Sequence, residues 1–184
     1  MTSAAPPQEL PRAELLHRAL ATYRELDAAG RVRNPVLTVI DYGLPSSRRR
    51  LWVLDPKTEQ VRFHEFVAHG RGSADARDPG RAVRFGNEPA SRRSSLGAFL
   101  TGAAYVGTHG YSLELTGLEP GVNDRAVERR IVIHPADYAG AEFRKAHGRL
   151  GRSFGCPALD PKVSRAVIDA IRDGSVLYVG AAAK

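Results

Sequence analysis

Short apolar runs rich in β-branched residues, separated by turn residues, constrain the fold of this chain more than any other feature. From residue 35 onward these runs are too short for typical helices, and several alternate apolar with polar positions. Strands are predicted over residues 36–42, 51–54, 61–67, 98–107, 111–115, 130–134 and 175–179. The second and third of these flank turn residues and are expected to form a hairpin. The pattern predicts an α+β fold that is mostly β, with one shared sheet core.

Helical patterns precede and interrupt the strand-rich part of the chain. Helices are predicted over residues 14–29, 136–147 and 161–173. The last of them has Asp160 as its N-cap and Pro161 at its first position, an arrangement that favours a helix start. We therefore divide the chain into residues 1–34, a tail with a helix that packs on the domain, and residues 35–184, the main domain.

Composition narrows the possible partners without selecting one. The 184 residues carry a net charge of +7 and an isoelectric point of about 10, which favours nucleic acid, an anionic membrane or an acidic wall polymer. Aromatic residues make up only 7% and the basic residues are scattered, with no helix typical of base recognition, so we expect no nucleic-acid partner. No apolar run of 18 residues exists, so no integral membrane segment is expected.

Processing and cofactor signals are also sparse. The single cysteine excludes an internal disulfide, and Met1–Gln8 has no apolar stretch, so the chain as given lacks a signal peptide. The polar stretch of residues 69–95 is long for a compact domain, and such loops are functional or disordered. It has neither a dinucleotide fingerprint nor the Lys-Ser/Thr of a phosphate-binding loop, which excludes nucleotide binding.

The chemistry of the chain centres on residues 148–157, which contain its only cysteine. Arg149, Arg152 and Ser153 lie close to Cys156 in sequence. A lone cysteine is most often a small buried apolar residue. A nucleophilic thiol instead needs nearby positive charge, partial exposure and a histidine. This segment offers the charge, and its glycines allow a tight turn.

Several histidines could serve as the base that activates Cys156. The candidates are His69, His109 and His134, which each end a strand and begin a loop, and His147, which precedes the cysteine by nine residues. A carboxylate or a backbone carbonyl would orient the imidazole. Backbone N–H groups of Gly155 and Cys156 could form an oxyanion hole. Cys156 with His69, His109 and His134 could on paper bind zinc, but no paired ligand spacing supports a metal site.

The residues Ser153-Phe154-Gly155-Cys156, with a strand ending in His134 upstream, resemble the Ser-x-Gly-Cys signature of L,D-transpeptidases with a YkuD-type catalytic domain. The chain is similar in particular to murein L,D-transpeptidase catalytic domain family proteins. The matching segments are residues 36–41, 67–70, 94–97, 107–113, 117–119, 123, 131–134 and 148–157. The resemblance thus extends from about residue 36 to residue 179.

This resemblance implies a β-sandwich or barrel catalytic domain with an N-terminal and a C-terminal helix. Cys156 would attack a carbonyl between an L- and a D-centre of a peptidoglycan stem peptide, with His134 as the base. The acyl-enzyme would then pass to an amine in a transpeptidase, or to water in an L,D-carboxypeptidase or endopeptidase. Ser153 would shape the site, and Gly155 and Cys156 would supply oxyanion donors. A catalytically silent wall-binding module is the alternative outside enzymes.

The resemblance also implies partners, location and a substrate-binding set. It implies stem peptides as substrates, carbapenem-type inhibitors, a periplasmic or wall-associated location, and neither a metal nor an organic cofactor. We expect substrate contacts from Arg149, Arg152, His109, His69 and Asn123. Many members have an arginine two positions after the cysteine, where this chain has Ala158; Arg149 or Arg152 would then provide charge near the thiol. Pro135 follows the histidine where glycine is common.

Overall fold

The computed structural model describes residues 9–181, so the expectation for Met1–Gln8 falls outside the described residues. The helices are α1 (Ala13–Ala28), α2 (Ala141–His147) and α3 (Pro161–Ile171). The strands are β1 (Leu37–Asp41), β2 (Leu51–Leu54), β3 (Val61–Glu65), β4 (Gly97–Gly107), β5 (Gly110–Gly117), β6 (Val132–Pro135), β7 (Ala158–Leu159) and β8 (Val176–Gly180). The prediction of a mostly β fold with helices toward both ends is confirmed.

All strands belong to one eight-stranded sheet in the order β3-β2-β1-β8-β4-β5-β6-β7. The pairs β1–β8 and β6–β7 are parallel and the other neighbours are antiparallel, including the predicted β2–β3 hairpin. Beyond β3 the chain returns to the far end of the sheet, where the N–H of Ala68 donates to the carbonyl of Ala158 in β7 at 2.8 Å. This contact brings the two ends of the sheet together in a nearly closed, barrel-like arrangement.

Strand β1 is buried on both faces, which explains its continuous apolar run. Leu37 and Val39 pack with the buried side of α1, while Ile40 packs in the larger core that includes Ile168 and Ile171 of α3. Because successive side chains of a strand point to opposite faces, one short strand supports both cores. Within residues 9–181 no helix has the length and apolar character needed to cross a membrane.

Three features near the predicted site differ from the sequence expectation. The helix predicted over 136–147 is interrupted: a 3₁₀ turn at Asp137–Ala139 is followed by Gly140, and α2 begins only after it. The two-residue strand β7 was not predicted. The strand predicted over 130–134 begins two residues later, because Arg130 has a left-handed backbone with φ of 54°.

The N-cap prediction is confirmed, since the Asp160 carboxylate accepts from the N–H of Lys162 at 2.9 Å.

Candidate active site

The parallel pairing of β6 with β7 places the cysteine beside the histidine strand. His134 pairs with Ala158, so the residues two positions earlier, Val132 and Cys156, are also neighbours. The N–H of Val132 lies 3.5 Å from the Cys156 Sγ, and the thiol donates to the carbonyl of Arg130 at 3.6 Å. Two segments that are distant in sequence thus meet through one short strand pair.

A cavity of about 410 Å³, which we call the thiol cavity, opens at this junction. Its walls are formed by His109, His134, Pro135, Ala136, Asp137, Tyr138, Arg152, Ser153, Phe154 and Cys156. Among the residues predicted from sequence, the structure brings together Cys156, His134, Ser153, Arg152 and His109. The cavity therefore combines a thiol, two imidazoles and one guanidinium.

Hydrogen bonding fixes which nitrogen of His134 can act as a base. Its Nδ1 lies 2.9 Å from the carbonyl of Pro135, and because a carbonyl only accepts, Nδ1 must carry the hydrogen. Nε2 is then the nitrogen with a free lone pair. Burial lowers the pKa of His134, and the neighbouring His109, whose ring is stacked at 4.6 Å, lowers it further. The imidazole is therefore neutral at neutral pH and is oriented by a backbone carbonyl.

Ser153 holds the turn that carries the thiol. Its hydroxyl donates to the carbonyl of Cys156 at 2.6 Å and accepts from the N–H of Gly155 at 3.1 Å. Gly155 has φ of +128°, and a Cβ there would lie 2.9 Å from the carbonyl oxygen of Arg93, so only glycine fits without displacement. Its carbonyl accepts from the Ser94 hydroxyl at 3.0 Å. Hydrogen bonds from Ser153 and Ser94 thus hold the turn that carries Cys156.

The oxyanion expectation for Gly155 needs correction. Its N–H already donates to the Ser153 hydroxyl, so it is not free to bind a developing oxyanion. The N–H of Cys156 lies close enough to its own sulfur to lower the pKa of the thiol. Of the predicted pair, the N–H of Cys156 is therefore the one that lies next to the reacting sulfur.

The charge near the thiol comes from a residue that the sequence reasoning missed. Burial raises the pKa of the Cys156 thiol, whereas the N–H of Val132 and the positive charge of Arg129 lower it. The guanidinium of Arg129 donates to the carbonyl of Gly86 at 2.9 Å and to the hydroxyl of Ser95 at 2.7 Å. The expectation that Arg149 or Arg152 provides this charge is therefore corrected in favour of Arg129. Its only sequence signal is its position shortly before the strand that ends in His134.

Arg149 and Arg152 instead face a second cavity of about 310 Å³, which we call the arginine cavity. Its walls are Arg71, Tyr138, Phe143, Arg149, Gly151, Arg152 and Phe154. Arg152 also lines the thiol cavity, so it lies between the two. His147 belongs to neither wall: it is exposed on α2 and its ring stacks on Phe143 with centroids 4.0 Å apart.

The structure does not bring His69 or Asn123 to either cavity. His69 is fully buried, and its Nδ1 accepts from Nη2 of Arg50 at 2.9 Å. Asn123 is also fully buried, where its amide donates to the carbonyls of Leu96 and Ala98 and accepts from the N–H of Glu119. The substrate contacts expected for these two residues are replaced by structural contacts. Within the described part of the chain no three His, Cys, Asp or Glu side chains are grouped to hold a metal ion.

Comparison with known proteins connects this geometry to a family. The helical cell shape determining protein Pgp2 from Campylobacter jejuni has a similar fold, with a TM-score of 0.52 and 14% identity over 95% of this chain and 58% of that one. An L,D-transpeptidase from Mycobacterium smegmatis gives a TM-score of 0.46 at 15% identity, over 79% of this chain and 58% of its own. The transpeptidase LdtMt1, in complex with imipenem, gives 0.45 at 15% identity, over 80% and 59%.

At these identities the structural similarities concern the fold, and the chain spans about three fifths of the length of these relatives. No protein with a curated function matches the sequence. The family model described as the L,D-transpeptidase catalytic domain matches residues 8–179, which include β1 through β7, all but the last residue of β8 and every residue that lines the thiol cavity. By this match, the chain belongs to the L,D-transpeptidase catalytic domain family.

Proposed function

We propose that this chain is a cysteine-dependent L,D-transpeptidase that forms an acyl-enzyme on a peptidoglycan stem peptide and transfers it to an amine. The observation that carries the proposal is the thiol cavity itself. Within a chain of this family, it places Cys156 together with His134, whose Nε2 is free to accept a proton. A nucleophile and a base oriented by a third group are the arrangement that acyl transfer requires.

In the first half-reaction the Sγ–C bond forms as the thiol proton moves to Nε2 of His134. The tetrahedral oxyanion would be stabilised by the N–H of Cys156. The C–N bond then breaks, and His134 returns the proton to the leaving amine. In the second half-reaction an acceptor amine attacks the thioester and gives a proton to His134. The new amide leaves as the proton returns to sulfur, which restores the starting thiol.

The protonation states favour a neutral thiol and a neutral imidazole at rest. Burial raises the pKa of Cys156 and lowers the pKa of His134, so neither group is charged near neutral pH. The thiol donates to the carbonyl of Arg130 at 3.6 Å, so this hydrogen bond must break before the proton moves to His134. His134 therefore acts as a general base during attack, and not as the partner of a preformed ion pair.

The same proposal gives the partners and the location. Stem peptides are the substrates, and carbapenem-type compounds are expected to acylate Cys156, in keeping with the imipenem complex of LdtMt1. Peptidoglycan lies outside the cytoplasmic membrane, so we place the protein in the periplasm or at the cell wall.

Intact-protein mass spectrometry after incubation with a stem tetrapeptide, or with a carbapenem, tests the proposal. Wild-type protein should gain a covalent mass that Cys156→Ser lacks. His134→Ala should slow acylation on the order of 10²–10⁴-fold. His147→Ala is the matched control and should keep the wild-type rate. An adduct that persists in Cys156→Ser would refute the nucleophile, and slow acylation in His147→Ala alone would reassign the base.

The products separate transfer from hydrolysis. With an amine acceptor present, a cross-linked mass supports the transpeptidase, whereas a shortened peptide alone would identify an L,D-carboxypeptidase. No adduct with folded, reduced protein would indicate a silent wall-binding module.

A further inference from the structure

The arginine cavity holds an unusual concentration of positive charge. Three guanidinium groups, from Arg71, Arg149 and Arg152, face the same space of about 310 Å³. Among residues 9–181 none of the three has a carboxylate within 4.0 Å. The nearby Arg81, by contrast, pairs with Asp78 at 3.2 Å. Burial lowers the pKa of Arg152, and the charges of Arg149 and Arg71 lower it further, as expected for cations that repel one another.

Backbone contacts hold these arginines in place. The N–H of Arg71 donates to the carbonyl of Ser153 at 2.8 Å, and the N–H of Gly151 donates to the carbonyl of Tyr138 at 2.7 Å. A Cβ on Gly151 would lie 2.5 Å from the Cβ of Tyr138, so the close approach of these segments depends on glycine. Nη1 of Arg149 donates to the carbonyl of Leu150 at 2.9 Å. The fold thus fixes the backbone from which these arginines project.

The two cavities adjoin one another and share three lining residues. Arg152, Tyr138 and Phe154 line both, and Phe154 is 66% exposed despite its size. A molecule whose reacting carbonyl lies beside Cys156 can therefore extend over these side chains toward Arg149. Guanidinium groups bind carboxylates through paired hydrogen bonds, and the surrounding aromatic rings give such a ligand an apolar floor.

We propose that the arginine cavity is an anion subsite that binds a free carboxylate of the peptide whose carbonyl is attacked in the thiol cavity. This inference rests on the proposed function, because it takes the ligand to be a peptide substrate. It assigns Arg71 and Arg149 to recognition of the substrate and leaves the chemistry to Cys156 and His134. The carboxylate has two possible sources, the C-terminus of the peptide or an internal acidic residue, and both offer the same chemistry to the arginines.

Binding to the full chain with Cys156→Ala tests the subsite without any acylation. Isothermal titration would compare a stem tetrapeptide that has both carboxylates free, the same peptide with a C-terminal amide, and the same peptide with its internal carboxylate amidated. One of the two amides should bind roughly 10- to 100-fold more weakly than the free acid. The peptide that loses affinity identifies which carboxylate occupies the arginine cavity.

Arginine variants locate the effect. Adding Arg71→Gln or Arg149→Gln to Cys156→Ala should weaken binding of the free-acid peptide, so that it no longer binds more tightly than the amide. Arg24→Gln changes an exposed residue on α1 and should preserve the tighter binding of the free acid. Equal binding of all three peptides, or an advantage that survives both arginine-cavity variants, would overturn the subsite. The binding measurement needs no thiol, so its result is independent of acylation. If Cys156→Ala prefers the free acid but the wild-type protein is never acylated, the proposed function is rejected and the subsite stands. Acylation without that preference would reject the subsite alone.

Discussion

Two opposing effects act on the pKa of the Cys156 thiol. Burial raises it and keeps the thiol neutral, whereas the positive charge of Arg129 lowers it and favours the ionised form. Arg129 is held by two backbone carbonyls and two serine hydroxyl groups. The carboxylate of Glu88 also acts on Arg129, but the positive charge of Arg129 still lowers the pKa of the thiol. Arg129 thus acts on the thiol from a separate segment of the chain.

Removal of this cation should raise the pKa of the thiol. In Arg129→Gln, alkylation of Cys156 by iodoacetamide should be slower at pH 7, and the midpoint of its rate against pH should move to higher pH. Mass spectrometry of the alkylated protein gives the rate. Arg125→Gln, which removes an exposed charge on the same segment, serves as the control and should leave the midpoint in place. An unchanged midpoint in Arg129→Gln would contradict the assignment.

His69 contributes to stability rather than to the site. Burial, followed by the charges of Arg50, Arg152 and Arg149, lowers its pKa to about 3. An unfolded histidine titrates near 6.5, so between these values the unfolded chain binds more protons than the folded chain. The stability that depends on neutral His69 is fully present above about pH 6.5 and is lost as the pH falls toward 3.

This linkage predicts a specific acid sensitivity. Between pH 7.5 and pH 4.5 the free energy of unfolding should fall by about 2–3 kcal/mol through His69 alone. In His69→Gln, which retains an acceptor for Arg50, the fall should be smaller by that amount. Urea unfolding at the two pH values measures it, and His17→Gln, exposed on α1, is the control. The same loss in wild type and His69→Gln would show that His69 is not the source.

Among the secondary-structure elements, the β4–β5 hairpin has the most direct effect on the site. Its turn places the exposed His109 against the ring of His134, at a centroid distance of 4.6 Å. His109 lowers the pKa of His134 through its charge, and its ring also covers His134 from solvent. The hairpin therefore helps to keep the proposed base neutral.

Truncation of this histidine should reverse the effect. In His109→Ala the pKa of His134 should rise toward its ordinary value. As the pH is lowered, acylation by the variant should therefore slow at a higher pH than acylation by the wild type, and the difference should be visible at pH 6. Titration of the His134 ring protons by NMR reports the pKa directly. Val106→Ala changes the same hairpin at a side chain that is 79% exposed and should leave the titration unaltered. A lower pKa in His109→Ala would contradict this role.

An element can be predicted from the sequence when the residues that determine it are close together in the chain. The long strands follow from alternation, and α3 follows from the Asp160 cap, because both signals lie within a few residues. Strand β7 has two residues and no periodicity, so only its partners β6 and Ala68 define it. The helix break before α2 was missed because the apolar pattern runs through Gly140. The motif singles out Cys156 and His134, which both line the thiol cavity, whereas Arg129 acts on the thiol across 27 positions with no local pattern.

The arrangement of the sheet makes its last strand central. β8 lies between β1 and β4 and joins the hairpin-rich N-terminal part to the part that carries the site. The pairing of β1 with β8 joins residues nearly 140 positions apart, as in Leu37 with Val176. Closing so long a loop has a high entropic cost, which slows folding. We expect the pairing, once made, to join the sheet into one cooperative unit.

Native-state hydrogen exchange should show this cooperativity. Amides of β8 that bond to β1 and β4 should exchange only through global unfolding, while the bonded amides of the edge strand β3 should exchange faster through local opening. Exchange measured by NMR at increasing denaturant separates the two routes. β8 amides that exchange as fast as those of β3 would contradict a central stabilising role for this strand.

The position of β8 also sets the order of events during synthesis on the ribosome. Strands β1 to β3 and β4 to β7 emerge first, but neither group can complete its hydrogen bonding until residues 176–180 leave the exit tunnel. Until then the inner edges of β1 and β4 expose backbone donors and acceptors to any other strand nearby. The nascent chain therefore passes through a period of aggregation risk that ends only when β8 enters the sheet, and a chaperone that covers apolar strand edges would act in that interval.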